Sequence, residues 1–201
     1  MNVLAPGRLG DVGATYLLQE EFRTAQPYSH CIISPFCDRD FLSKVHDELT
    51  QHMKANFKET DLFKLFQTDE LGTLDSKETK KTMPNLLKLR EALYSKDFRD
   101  FVQQVTGQTD LTDRVDCSAN AYANSCHLLC HDDVITTRRV SYVLYLSDPE
   151  EAWTQNDGGA VELYPLDPAT VVFDGEGGGF QGLPTPHPSH AHLPQFNSLL
   201  L

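Results

Sequence analysis

Hydrophobic and polar positions divide the chain into three textures. Residues 1–28 carry little periodicity and read as a weakly ordered leader, with spacing that suits a short helix around Tyr16–Arg23. The run 29–34 (SHCIIS) is short, apolar and stopped by Pro35, so it predicts a strand. Phe41, Leu42, Val45, Leu49 and Met53 then recur at helical spacing, with Asp38 placed to cap the helix start. Residues 56–82 are mixed, and their charged second half, 68–82 with Gly72 inside it, predicts an exposed loop. Helical spacing returns at Leu86, Leu89 and Leu93, and again at Phe98, Phe101, Val102 and Val105. Pro84 suits the first turn of the former helix, and Gly107 suits the end of the latter.

Beyond about residue 110 the periods shorten. Brief apolar or alternating runs, separated by turn residues, are the pattern of a β-sandwich or barrel. Residues 140–146 (VSYVLYL) are apolar on both faces and predict a central, buried strand. Asp157-Gly158-Gly159 marks a turn. Residues 174–195 are rich in Gly, Pro and His and read as a loop, and 196–201 (FNSLLL) read as a strand beginning. His187, His190 and His192 fall in that loop and read as an exposed cluster, with no reason to fold towards the His131 segment. The expected class is α+β: helices first, then a β-region.

Composition narrows the function classes. Hydrophobic residues make up 40% of 201 residues, enough for a core, which excludes a wholly disordered polar chain. The formal net charge is −12, which argues against nucleic-acid binding by bulk positive charge. No apolar run has the length of a membrane span, and the N-terminus has no uninterrupted apolar core of a secretory signal. Five cysteines are too few and too odd for a disulfide framework and predict a reducing compartment, cytoplasm or nucleus.

The densest set of ligand-type side chains is Cys126-His127-Leu128-Leu129-Cys130-His131-Asp132-Asp133. On a strand, alternate side chains share a face, so His131 and Asp133 would point the same way. An imidazole and a carboxylate so placed supply two of the three ligands of the 2-His-1-carboxylate triad that holds non-haem Fe(II). On a helix the same stretch would pair Cys126 with Cys130 and His127 with His131, half of a structural zinc site. The flanks, which have no helical stripe, favour the strand.

His131 and Asp133 also sit in a longer order. Tyr122 precedes LLCHDD (128–133); Arg138-Arg139, the run 140–146 and Gly158–Tyr164 (GGAVELY) follow. This order resembles the Fe(II)- and 2-oxoglutarate-dependent oxygenases, and within them the prolyl hydroxylases that modify a proline of a small-subunit ribosomal protein. The resemblance covers about two thirds of the chain, from His30–Ile33 to Leu166. It implies N-terminal helices packed on a double-stranded β-helix (jelly roll), with residues 29–201 forming an oxygenase domain. It also implies Fe(II) held by His131 and Asp133, and 2-oxoglutarate contacted by Tyr122, with ascorbate as reductant. Arg138, Arg139 and Trp153 are candidate substrate contacts, although a surface ion pair for the arginines and packing for Trp153 are the plainer readings. The implied reaction couples decarboxylation of 2-oxoglutarate to hydroxylation of a prolyl carbon in a ribosomal protein.

The family pattern further calls for a second histidine ligand and a 2-oxoglutarate-binding arginine after the strand that begins at 196–201. Neither occurs before Leu201. The expectation is therefore a jelly roll incomplete at its C-terminus, without the family's C-terminal domain, and a chain of low solubility or one that associates with a partner. A non-catalytic binding module on the same fold is the competing expectation.

Overall fold

The computed structural model describes residues 3–133, 135, 137–173 and 180–201. Residues 1–2 of the expected leader and 174–179 of the expected loop lie outside the described residues.

Local sequence signals set the helix ends. Helix α1 (Val12–Thr24) lies inside the segment read as a leader, starts where the Asp11 side chain accepts from the Ala14 N–H at 2.9 Å, and rests against the last helix, α5 (Lys96–Thr106). Helix α2 (Arg39–His52) starts at Asp38, whose carboxylate accepts from the Phe41 N–H at 2.9 Å. Helix α4 (Pro84–Leu93) has Pro84 in its first turn, where a missing N–H costs nothing. Helix α5 ends at Gly107 with φ +74°, the left-handed conformation that glycine adopts without a Cβ penalty. Met83 gives α4 no side-chain cap of its own. The Glu48 carboxylate of α2 does that work, accepting from the Asn85 and Leu86 N–H groups at 2.8–3.0 Å.

The stretch 68–82 is not the exposed loop expected of it. It forms a short 3-10 turn (Leu71–Thr73) and helix α3 (Lys77–Thr82), burying Leu71 and Thr79. Tertiary contact overrides the polar composition here: the Arg90 guanidinium donates to the Leu71 and Leu74 carbonyls, and the Tyr94 hydroxyl to Glu70.

The sheets are small and antiparallel. Strands β2 (Asn56–Glu59) and β3 (Phe63–Gln67) form a hairpin, and β3 also pairs with β4 (Asn120–Ala121) and β5 (His127–Leu128). Strands β1 (Ile32–Ile33), β6 (Val143–Leu144) and β11 (Leu199–Leu200) form a sheet in the order β1-β11-β6. The run 140–146 is therefore not the central strand expected. Among the described residues β6 lies at the edge, with Val143 exposed, and β11 takes the centre. Strand β7 (Val161–Leu163) pairs with β10 (His190–His192), and β8 (Val172–Phe173) with β9 (Phe180–Gln181). Both β9 and β10 fall within the 174–195 stretch read as a loop. The fold is mixed α+β, N-terminal helices followed by several small antiparallel sheets.

One core joins the two halves. Phe36, Phe41, Leu42, Val45, Leu86, Leu89, Phe98, Phe101 and Val105 from the helical half meet Ile33, Leu199 and Leu201 from the β1-β11-β6 sheet. Edge-to-face contacts of Phe98 with Phe36 (5.7 Å between centroids) and with Tyr142 (5.6 Å) tie α5 to the segment leading into β6. Burying aliphatic and aromatic side chains such as these contributes about 1.5–3 kcal/mol each. The helices thus form the base on which the short strands stand.

Candidate functional site

The loop that carries His131 and Asp133 hangs from β3. β5 pairs with β3 at Leu128 opposite Phe63, and the Leu129 N–H extends the ladder to the Leu62 carbonyl at 2.9 Å. The strand then ends. His131 and Asp133 lie on irregular backbone just past β5, so alternation along a strand is not what brings them together. A turn does, through Asp133 at φ +55°, a left-handed conformation that Asp tolerates better than most residues.

The outcome is a close imidazole–carboxylate pair, with His131 Nε2 3.0 Å from Asp133 Oδ1. His131 Nδ1 lies 2.8 Å from the Leu129 carbonyl. A carbonyl only accepts, so Nδ1 carries the proton and the ring is held with Nε2 facing the carboxylate. This backbone anchoring of the far ring nitrogen is the arrangement that orients a metal-binding histidine. Both side chains are partly open to solvent, 32% for His131 and 46% for Asp133. Partial burial raises the Asp133 pKa, but the Ser141 hydroxyl, His131 and Arg138 together pull it below the ordinary carboxylate value. The carboxylate therefore stays charged at neutral pH.

A divalent cation fits this pair. Nε2 and Oδ1 face each other at 3.0 Å and are the two atoms that would turn to an incoming metal, and imidazole plus carboxylate suits Fe(II). The pair supplies two donors. Among the described residues, no three His, Cys, Asp or Glu side chains are grouped to hold a metal. The helical zinc arrangement over 126–133 is not formed, because His127 lies on β5 and Cys126 follows a tight turn from Ala123.

The other predicted residues divide. Arg138 joins the pair, its Nη1 3.5 Å from Asp133 Oδ1, so it serves the carboxylate as an ion-pair partner. Arg139 is exposed on the same loop. Trp153 closes its own loop: its indole N–H donates to the Gly158 carbonyl at 2.8 Å, and its ring lies beside Gly159. Tyr122, just past β4, is half exposed, and its hydroxyl is pushed above its ordinary pKa by burial and by Cys126.

Three contributors carry no mark in the sequence pattern. Ser141 bonds Asp133, and the Leu129 carbonyl orients His131. Tyr145 sits in the apolar run 140–146, which hides its polar end. It is buried, its hydroxyl has no hydrogen-bond partner among the described residues, and Tyr122 is its electrostatic neighbour. A buried hydroxyl without a partner costs about 1–3 kcal/mol, which makes it a natural contact for a polar ligand.

The segment that carries this pair has known relatives. Residues 117–201, which hold the His131–Asp133 pair and both tyrosines, match the 2OG-Fe(II) oxygenase superfamily. The chain is 45% identical over 177 residues to the prolyl 3,4-dihydroxylase OGFOD1 of Ostreococcus tauri, covering 87% of this chain and 32% of that protein. It is 35% identical over 142 residues to the prolyl 3-hydroxylase OGFOD1 of Mus musculus, covering 70% of this chain and 24% of that one. The prolyl 3-hydroxylase sudestada1 of Drosophila melanogaster is 26% identical over 145 residues. The chain is homologous to these prolyl hydroxylases and spans about a quarter to a third of their length.

Proposed function

We propose that the chain carries the metal-binding part of an Fe(II)- and 2-oxoglutarate-dependent peptidyl-proline dioxygenase. The observation that carries this reading is the His131–Asp133 pair, 3.0 Å apart and oriented by the Leu129 carbonyl, within a segment of the matching superfamily. His131 and Asp133 hold the iron. Iron and 2-oxoglutarate supply the oxidising power that inserts one atom of dioxygen into a prolyl C–H bond, the other atom going into succinate as carbon dioxide leaves. Tyr122, with the Tyr145 hydroxyl (unpartnered among the described residues) as its electrostatic neighbour, provides the donors for a 2-oxoglutarate carboxylate. Ser141 and Arg138 keep Asp133 charged. Arg139 and Trp153 remain candidate substrate contacts, and ascorbate is the reductant.

The substrate class is a protein, and the proposed target is a proline of a small-subunit ribosomal protein. The homologous prolyl hydroxylases support the proline, and the net charge of −12 suits a basic protein partner. Among the described residues no helix is long and apolar enough to cross a membrane. All five cysteines are free, which supports a cytoplasmic or nuclear setting.

The test is incubation with Fe(II), 2-oxoglutarate, ascorbate and a proline-bearing ribosomal peptide. Mass spectrometry should find one added oxygen on proline, matched by succinate. A second reading, a binding module without catalysis, is favoured by one observation: the two-donor pair gains no third donor among the described residues. Tight binding of the peptide without succinate would select it.

A further inference from the structure

Three imidazoles meet where the segment before β1 touches the β7–β10 ribbon. His190 and His192 are alternate residues of β10 and share one face of it. The His30 ring lies 5.2 Å from that of His192 and 6.1 Å from that of His190, centroid to centroid. His30 Nε2 and His192 Nε2 are 3.3 Å apart and hydrogen-bonded, across 162 positions of the chain. Two residues before His30, Tyr28 lies beside the backbone of Tyr164, just past β7. The segment 28–30 therefore touches both strands of the ribbon, which belongs to a different sheet from β1.

The imidazole bond has a fixed sense. His30 Nδ1 faces the Tyr28 carbonyl at 2.9 Å; a carbonyl only accepts, so the proton sits on Nδ1 and His30 Nε2 carries a lone pair. The His192 Nε2–H donates to it. A proton placed on His30 Nε2 removes that acceptor and sets two N–H groups against each other. The surroundings bring no carboxylate to the shared face. On β7, Val161 and Leu163 stand opposite His192 and His190, while Glu162 stands opposite Ala191 on the other face and accepts from the Tyr164 hydroxyl. Helix α1 brings Glu21 to Cys31 and the Ile32 N–H, beyond His30. Ser189 bonds His190 Nδ1 at 3.0 Å. The charged groups that act on His192 are the two other rings.

We propose that His30, His190 and His192 form an acid-sensitive clamp, which holds the β7–β10 ribbon against the start of β1 while the rings are neutral and releases it when they are protonated. Burial, with His30 and His190 alongside, holds the His192 pKa below its ordinary 6.5. The unfolded chain thus takes up this proton at higher pH than the folded one. The clamp's contribution is complete above pH 6.5 and is lost as pH falls towards the lower folded value. Cys130, one residue before His131, is an electrostatic neighbour of both Tyr28 and Tyr164, so the clamp stands behind the site loop. It stands whether or not that loop holds iron.

The experiment measures urea unfolding of the full chain from about pH 8 to about pH 5, where imidazoles change charge, beside the His30→Gln, His192→Gln double variant. Glutamine keeps a polar side chain and takes up no proton in this range. The midpoint of the unaltered protein should fall more steeply below pH 6.5 than that of the variant. Parallel profiles would overturn the proposal. Nuclear magnetic resonance of the unaltered protein gives a readout that depends on no variant folding. The His192 ring should take up its proton below pH 6.5, and the β10 amides should lose protection from exchange in the same step. A His192 ring that titrates at or above 6.5, or β10 amides that stay protected through its titration, would overturn it.

Discussion

Asn197 and Cys37 hold each other through both ends of one amide. Asn197 Oδ1 accepts from the Cys37 N–H at 2.7 Å, and Asn197 Nδ2 donates to the Cys37 carbonyl at 2.8 Å. Both residues are buried. The Asn197 backbone extends the link, its N–H donating to the Tyr145 carbonyl and its carbonyl accepting from Phe36. One side chain thus joins the segment after β1, the start of β11 and the strand edge that positions Tyr145.

Replacing Asn197 with Ala leaves a buried N–H and a buried carbonyl of Cys37 unpaired. The expected cost is roughly 2–6 kcal/mol, since each of the two unsatisfied groups costs about 1–3 kcal/mol. Urea unfolding should show a lower midpoint at unchanged slope. A loss under about 0.5 kcal/mol would mean that water replaces the amide.

Glu48 is the second long-range brace. Glu48→Ala strips the Asn85 and Leu86 N–H groups of their acceptor and should cost about 1–3 kcal/mol. Glu48→Gln keeps an acceptor and loses only the charge at the helix start, about 0.3–1 kcal/mol. Thermal melts of the two variants should fall in that order.

Burial pushes the Cys31 and Cys37 thiols from 9.0 up to about 12, with Glu21 and Asp38 adding to the shift respectively. A thiol with a raised folded pKa stabilises fully below its unfolded value, and that contribution is lost as pH rises towards the folded one. Stability should therefore decline between pH 9.0 and about 12. At neutral pH, iodoacetamide should label the exposed Cys130 first and reach Cys31 and Cys37 only on unfolding. Mass mapping of the labelled peptides checks both the order and the burial.

Much of the helical half was legible because its signals are local. The Asp38 cap, Pro84 and Gly107 each act within one turn, and the structure uses each where the pattern put it. The stretch 68–82 was not legible, because Leu71 and Thr79 are buried by contacts with α4 and its flanks that polar composition does not encode. The place of 140–146 was missed for a related reason: a run apolar on both faces says that it packs, not which strand flanks it. At the candidate site the residue types at 131 and 133 were readable. Their means of meeting was not, since it depends on the backbone of Asp133 and the carbonyl of Leu129. The Tyr145 hydroxyl was hidden by its apolar neighbours.

The central claim is that His131 and Asp133 hold the iron that drives 2-oxoglutarate turnover. The most direct test is iron-dependent succinate formation by the protein and by its Asp133→Ala variant, side by side, with circular dichroism confirming that both are folded. The account predicts succinate from the unaltered protein only when Fe(II) is supplied, and none above background from the variant. Succinate formed equally well by Asp133→Ala, or absent from the iron-loaded unaltered protein, would contradict it.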